Sequence, residues 1–283
     1  MLKQVIALIL ISSILFCSCI KNNNLTLGLK EKKGIGSEVF HKMKILDLRK
    51  EIISSLGSKT INEFESAIER IYDETIDGGL SLERDIIDNY SQVCYYIGLT
   101  IPDKENKYIS TIYSFRVNLI LQDKNIIYYN LGKITSFRGA DFTFIKEEYK
   151  DRFEYDMLNT KFRNVFLIDL NLNELFVTDI VYGEGCGIGF QPPNERQIMN
   201  LLVTYKNINE IRRWLQSSNV EKQIYALYGF YELNKKGYKP FIDDQKMIES
   251  ILKKKGDLNF CYSCEYMTER IENIVKEEFD FQF

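Results

Sequence analysis

The chain changes period at its centre. Tyr113, Phe115, Val117, Leu119 and Leu121 alternate with Ser114, Arg116, Asn118 and Ile120. A two-residue period belongs to a β-strand, here with one apolar face and one mostly wet face. Asp123-Lys124-Asn125 then turns the chain into Ile126-Ile127-Tyr128-Tyr129, which completes a hairpin. A second hairpin is predicted from residues 164–170, a turn at Asn171-Leu172-Asn173, and residues 174–180. Residues 105–182 are therefore expected to form an antiparallel sheet of four to six strands. The charged stretch 146–163 between the hairpins has room for one short helix.

Helical periods occupy both flanks. Ser37 is placed to cap a helix carrying Val39, Met43, Leu46, Ile53 and Leu56 on one face, stopped by Gly57. Thr60 and Glu63 match a capping box, in which the two side chains satisfy free backbone N–H groups reciprocally. Behind it, Ile61, Phe64, Ile68, Ile71 and Tyr72 recur at helical spacing. Gly78-Gly79 ends that helix, and Ser81 caps a third through Leu82, Ile86, Tyr90 and Val93.

On the other side, Gly183 to Pro193 is the sharpest break in the chain, with glycine at 183, 185, 187 and 189 and a Pro192-Pro193 pair. Pro193 suits the opening of a helix. Helices are expected from there to the end, at about 209–216, 220–235, 243–255 and 263–278. Ile211 to Leu233 resembles one HEAT-type helical hairpin. Trp214 and Leu215 close its first helix, Ser217-Ser218-Asn219 is its short polar turn, and Ala226 is the small residue that lets the helices approach. A solenoid needs three or more repeats. The single copy therefore implies a helical-hairpin module, a class that supplies scaffolds and binding surfaces.

The 283 residues suffice for one large domain or two small ones with proper cores. Aromatic residues are plentiful, 18 Phe and 18 Tyr beside the single Trp214, and suit half-buried sheets and helix interfaces. The net charge of −3 gives no electrostatic reason to expect nucleic acid. The largest basic run, Lys253-Lys254-Lys255, closes a predicted helix, where cations complement the helix dipole.

The N-terminus reads as an address. Lys3 precedes an apolar run from Val5 to Phe16, followed by Cys17-Ser18-Cys19 and the polar stretch Lys21-Asn22-Asn23-Asn24. A positive start, about a dozen apolar residues and a small residue before the cut make a secretory signal peptide. The run is shorter than the ~20 residues that span a bilayer. Its end resembles the lipobox of bacterial lipoproteins, with Ser18 before the cysteine and Phe16 where the family usually has Leu. The resemblance implies that Cys19 becomes the acylated first residue of the mature chain, after a signal peptide of residues 1–18. Residues 19–36 then read as a polar tether between lipid and folded body.

Cys94, Cys186, Cys261 and Cys264 remain for structure or chemistry. Beyond the inner membrane disulfides are permitted. A bridge is expected either locally, Cys261 to Cys264, or from one of these to Cys186, stapling the glycine loop to the last helices. Cys261-Tyr262-Ser263-Cys264 is also the spacing of a redox CxxC, but helices rather than a βαβ unit are predicted around it. A nucleophilic Cys186 would want a base, and the only histidine is His41, on the first predicted helix. Zinc would require a second cysteine pair at metal spacing. Asp169 and Asp179, on the two arms of the second hairpin, and Glu184 in the glycine loop are the carboxylates worth watching. Asp at strand ends ordinarily terminates pairing.

The reading is an α+β chain: a region at 37–182 made of N-terminal helices and an antiparallel sheet, a Gly/Pro loop at 183–193 and an all-helical part from 194 with a HEAT-like hairpin. The expected function is a lipoprotein of the bacterial cell envelope, on the periplasmic side or the surface. It is anchored through Cys19 and binds a protein partner on its C-terminal helices, without catalytic residues, metal or cofactor. The alternative is an envelope thiol–disulfide or cysteine-dependent enzyme using Cys261 and Cys264, or Cys186.

Overall fold

A computed structural model describes residues 35–102, 110–134, 142–187, 189–263 and 265–281. The chain divides into two units, Met1–Lys42 and Met43–Phe283, and the second carries both sheets. The signal segment, Cys19 and most of the tether lie outside the described residues. None of the described helices is long and apolar enough to cross a membrane.

The fold is α+β, with helices, then sheet, then helices again. Helices α1 (Ile35–Ser55) and α2 (Ile61–Glu69) come first. The capping box forms: Glu63 N–H donates to Thr60 Oγ1 at 3.3 Å, and Glu63 Oε2 accepts from Thr60 N at 3.3 Å. This cap is tied to the sheet, because Ile61 N donates to Lys124 O and Ile126 N to Lys59 O, each at 2.9 Å. On α1 the buried stripe is Leu48, Ile52 and Leu56, while Met43 and Leu46, expected on the inner face, are exposed. The inward face is rotated from the one the sequence suggested, because Leu48 and Ile52 are four apart and continue directly into Leu56.

The main sheet is an antiparallel meander in the order β1-β2-β3-β4-β5. Its strands are β1 (Ile76–Ile87), β2 (Tyr90–Pro102), β3 (Ser110–Gln122), β4 (Asn125–Ile134) and β5 (Phe142–Lys150). The helix expected from Ser81 to Val93 is instead the first hairpin, with Ile87 opposite Tyr90. Asp88 adopts φ +50° in the tight turn between them. Leu82, Ile86 and Tyr90 are four residues apart, a spacing that serves one face of a helix and one face of a strand equally well.

The second predicted hairpin is likewise replaced. The short helix that the stretch 146–163 has room for forms as α3 (Arg152–Phe166) and runs on into the start of the predicted hairpin; Asp151 caps it, and it buries Leu158, Phe162 and Phe166 four apart. Leu167 ends it in the left-handed region, and Asn171 caps the single turn α4 (Leu172–Leu175). Burial of Phe166 at the end of that stripe draws the first residues of the predicted hairpin into the helix.

After β6 (Tyr182–Cys186) come α5 (Asn194–Thr204), α6 (Ile208–Gln216), α7 (Val220–Lys235) and α8 (Ile242–Leu252). Helices α6 and α7 form the expected hairpin, with Asn219 capping α7 through Lys222 N at 2.9 Å. Ala226 is fully buried. The last predicted helix is shorter than expected. Residues 257–270 form β7 (Asp257–Ser263) and β8 (Glu265–Arg270), and only α9 (Ile271–Glu278) is helical. The C-terminal part is thus helical with a strand pair set into it. That pair extends β6 into a second sheet, order β6-β7-β8, with β6 and β7 parallel.

Two cores flank the main sheet. One face, Val93, Tyr95, Ile97, Phe115, Val117, Leu119 and neighbours, packs under α1 and α2. The other joins Ile86, Tyr90, Ile120 and Tyr128 to α3 and the C-terminal helices. The face of β3 expected to be wet is therefore covered, and Ser114, Arg116 and Asn118 are buried. Partners reach them there: Arg116 Nη1 donates to Thr178 Oγ1 at 2.6 Å and Asn118 Nδ2 to Asn130 Oδ1 at 2.7 Å.

Candidate functional site

The glycine segment and the last strands converge. Tyr182 lies opposite Phe260 and Cys186 opposite Ser263 in the parallel β6–β7 pair. The segment 183–186 is thus strand rather than loop. A Cβ on Gly183 would sit 2.2 Å from the Cys261 carbonyl oxygen, so glycine is what lets the two backbones meet there. This approach puts Cys186 and Cys261 at disulfide distance, with Cα atoms 5.6 Å apart across 75 residues of sequence. That is one of the bridges the sequence left open. Cys264 lies outside the described residues.

A cysteine held in such a bridge offers no thiolate for attack. The other described cysteine, Cys94, is buried in β2, and burial pushes its thiol up, away from ionisation. Neither is placed as an activated nucleophile. The side chain of His41 is outside the described residues.

Beyond Cys186 the chain turns tightly: Cys186 N donates to Gln191 O at 2.7 Å and Phe190 N to Gly187 O at 3.2 Å. Phe190 takes φ +52° and is 47% exposed. Its ring meets Tyr262, itself 59% exposed, edge-on at 5.7 Å between centroids. Tyr262 and the exposed Met267 share a face of the β7–β8 hairpin, since Tyr262 pairs with Glu265 and Phe260 with Met267. The result is a small aromatic and apolar surface mounted on a cross-linked turn.

Beneath it lies a polar cluster. Tyr182 is fully buried, packs against the Tyr225 ring at 4.8 Å and donates its hydroxyl to Glu278 of α9. Burial raises the Glu278 carboxyl above the usual carboxylate range, while the nearby Arg196 pulls it down. Arg196 of α5 stacks its guanidinium 3.5 Å over the Tyr228 ring and lies 3.7 Å from Glu184. Tyr182, Glu278 and Arg196 are separated by up to 96 positions in sequence. No local motif announced them, although a Tyr opening a glycine segment was the available hint.

The remaining carboxylates do not assemble. Asp169 and Asp179 no longer face one another, because the hairpin that would have opposed them is absent. Asp169 is engaged by Arg163 Nε and by Asn159. Among the described residues no three His, Cys, Asp or Glu side chains are arranged to hold a metal ion. A separate polar cleft of about 360 Å³ lies between the β1–β2 turn and the start of β7, lined among others by Glu83, Asp85, Asp88, Asp123, Lys255 and Arg270. Its charges are largely spent locally: Asp88 pairs with Lys161 at 3.2 Å, and Arg270 with Asp257 and Glu272.

Comparison of the chain with protein-family models, with curated proteins and with solved structures gave no match.

Proposed function

We infer that this chain is a lipid-anchored protein of the bacterial cell envelope that binds a partner rather than turning over a substrate. The address rests on residues 1–19, whose pattern resembles a lipoprotein signal ending at Cys19. The single structural observation that carries the reading is the approach of Cys186 to Cys261. Disulfides persist in oxidising compartments and are rare in the reducing cytosol, so a cross-link between these residues agrees with export. The binding role draws on the α6–α7 hairpin and on the Phe190–Tyr262 surface, where aromatic side chains face solvent on a tethered turn. Exposed aromatics of this kind are enriched at the centres of interfaces.

Differential alkylation with peptide mass mapping, on protein taken from native membranes, tests both halves together. An acylated Cys19 and a stable Cys186–Cys261 bridge are the expected results. An uncleaved, unmodified N-terminus removes the address. A fast-reacting free thiol at Cys186 or Cys261 replaces the binding reading with the thiol-enzyme alternative.

A further inference from the structure

The run Lys253-Lys254-Lys255 does not behave as three solvated cations at a helix end. Lys254 is buried, and its Nζ donates to the carbonyl oxygens of Ile86 and, at 3.3 Å, Asp85 at the end of β1. No carboxylate lies within ion-pair distance of it among the described residues. Around it β1 and residues 254–257 are clasped along their length. Asp85 N donates to Lys255 O and Lys255 N to Asp85 Oδ2, each at 2.9 Å, and Glu83 N donates to Asp257 Oδ2 at 3.0 Å. At Gly256, φ is +110°, and an added Cβ would lie 2.3 Å from Glu83 O, so the backbones touch.

We propose that Lys254 is a proton-operated latch, which tightens the clasp between β1 and residues 254–257 when the amine is neutral and loosens it when the amine is charged. The clasp holds the start of β7, the strand that carries Cys261 and Tyr262. The latch therefore sets how firmly the aromatic surface is mounted on the main sheet. It rests on this geometry and does not depend on where the protein resides.

The surroundings fix the direction. An ammonium in the interior loses its hydration, and two neutral carbonyls replace only part of it. From β1, Asp85 favours the charged form and Arg84 opposes it, and Arg84 is itself matched by Glu221 of α7. From α3 comes only the Phe166 ring, 5.7 Å away. Glu272 of α9 is occupied by Gly256 N at 3.1 Å. Desolvation wins, and the amine is pushed down to about 7.

When the clasp opens, Lys254 meets water and regains its ordinary affinity for a proton. Below pH ~7 both states are charged, and the clasp is at its weakest. Above ~7 the closed state is neutral while the open state still binds a proton. The open fraction then falls about tenfold per pH unit until the ordinary lysine value is reached.

Hydrogen exchange on the intact chain between pH 5.5 and 9.5, corrected for intrinsic rates, reads this directly. The expected result is flat protection of residues 83–86 and 254–260 below pH ~6, rising about tenfold per unit above pH ~7.5. Lys254→Met should abolish that rise. Equal pH dependence in Lys254→Met, or none in the parent, overturns the latch. A readout that needs no variant is the ¹³C titration of lysine side chains in the parent protein. One lysine titrating near 7 supports the latch, and every lysine titrating above ~9.5 overturns it.

Discussion

Replacing Glu221 with Gln isolates the charge of the most deeply buried ion pair. Arg84 and Glu221 are both fully buried, with Arg84 Nη1 2.6 Å from Glu221 Oε1. Arg84 Nε also donates to Gln92 Oε1 at 2.9 Å. The same Glu221 oxygen accepts from Asn259 N at 3.1 Å and Asn259 Nδ2 at 2.9 Å. The pair thus joins β1, α7 and β7. Gln preserves the size and an acceptor oxygen, so the loss is chiefly that of the anion facing a buried guanidinium. A buried cation stripped of its partner costs about 3–5 kcal/mol, against about 1 kcal/mol for one neutral hydrogen bond. With a urea m-value of about 2–3 kcal/mol/M, the unfolding midpoint should fall by roughly 1–2.5 M. Urea titration at pH 7, followed by circular dichroism and Trp214 fluorescence, measures it. Adding Arg84→Met to Glu221→Gln removes the stranded charge and should recover at least half the loss, because apolar replacements of buried pairs are often near neutral. A single-variant shift below ~0.3 M, or no recovery in the double variant, would refute the argument.

Three further outcomes follow from the same geometry. Cys186→Ser opens a link across 75 residues and should cost about 4–5 kcal/mol by loss of chain restriction; a reductant should weaken the parent equally and the variant not at all. Glu278, raised by burial, binds its proton more tightly folded than unfolded. Its contribution is thus fully present below the unfolded value and is lost as pH rises through the folded one. Glu278→Gln, which can still accept from Tyr182, should be at least as stable as the parent at pH 7, and its stability should fall less steeply between pH 4 and 7; identical pH curves contradict this. Gly256→Ala places a Cβ 2.4 Å from the Arg84 Cα at a positive φ and should lose at least about 2 kcal/mol in the same urea assay.

How much of this was legible depended on whether the signal was local. The Thr60 capping box, the Asp123–Asn125 turn and the helix–turn–helix of α6 and α7 are written within a few residues of one another, and each stands where the sequence places it. The segments that went astray carried a period shared by two structures, as in Leu82, Ile86 and Tyr90. Elsewhere an apolar run reads as a strand although its first residues close a helix, as at 164–166, the end of α3, whose cap Asp151 accepts from Glu154 N. Lys254 differs from its expected place for another reason. Its charge suggested solvent, and only the arrival of β1 from 168 positions away shows where its amine ends.

By itself the sequence determined the α+β class, the alternation that makes β3 a strand, the cap that starts α2 and the hairpin of α6 and α7, because helix and strand periods and capping chemistry act over one or two turns. It did not determine which faces are buried. Arg84, Arg116 and Asn118 lie inside because the C-terminal helices cover a sheet face whose own alternation reads as wet. Cys186 meets Cys261, and Tyr182 meets Glu278, only because β6 pairs beside β7. Such meetings depend on chain closure over long separations, and no local propensity encodes that; tertiary packing alone decided them.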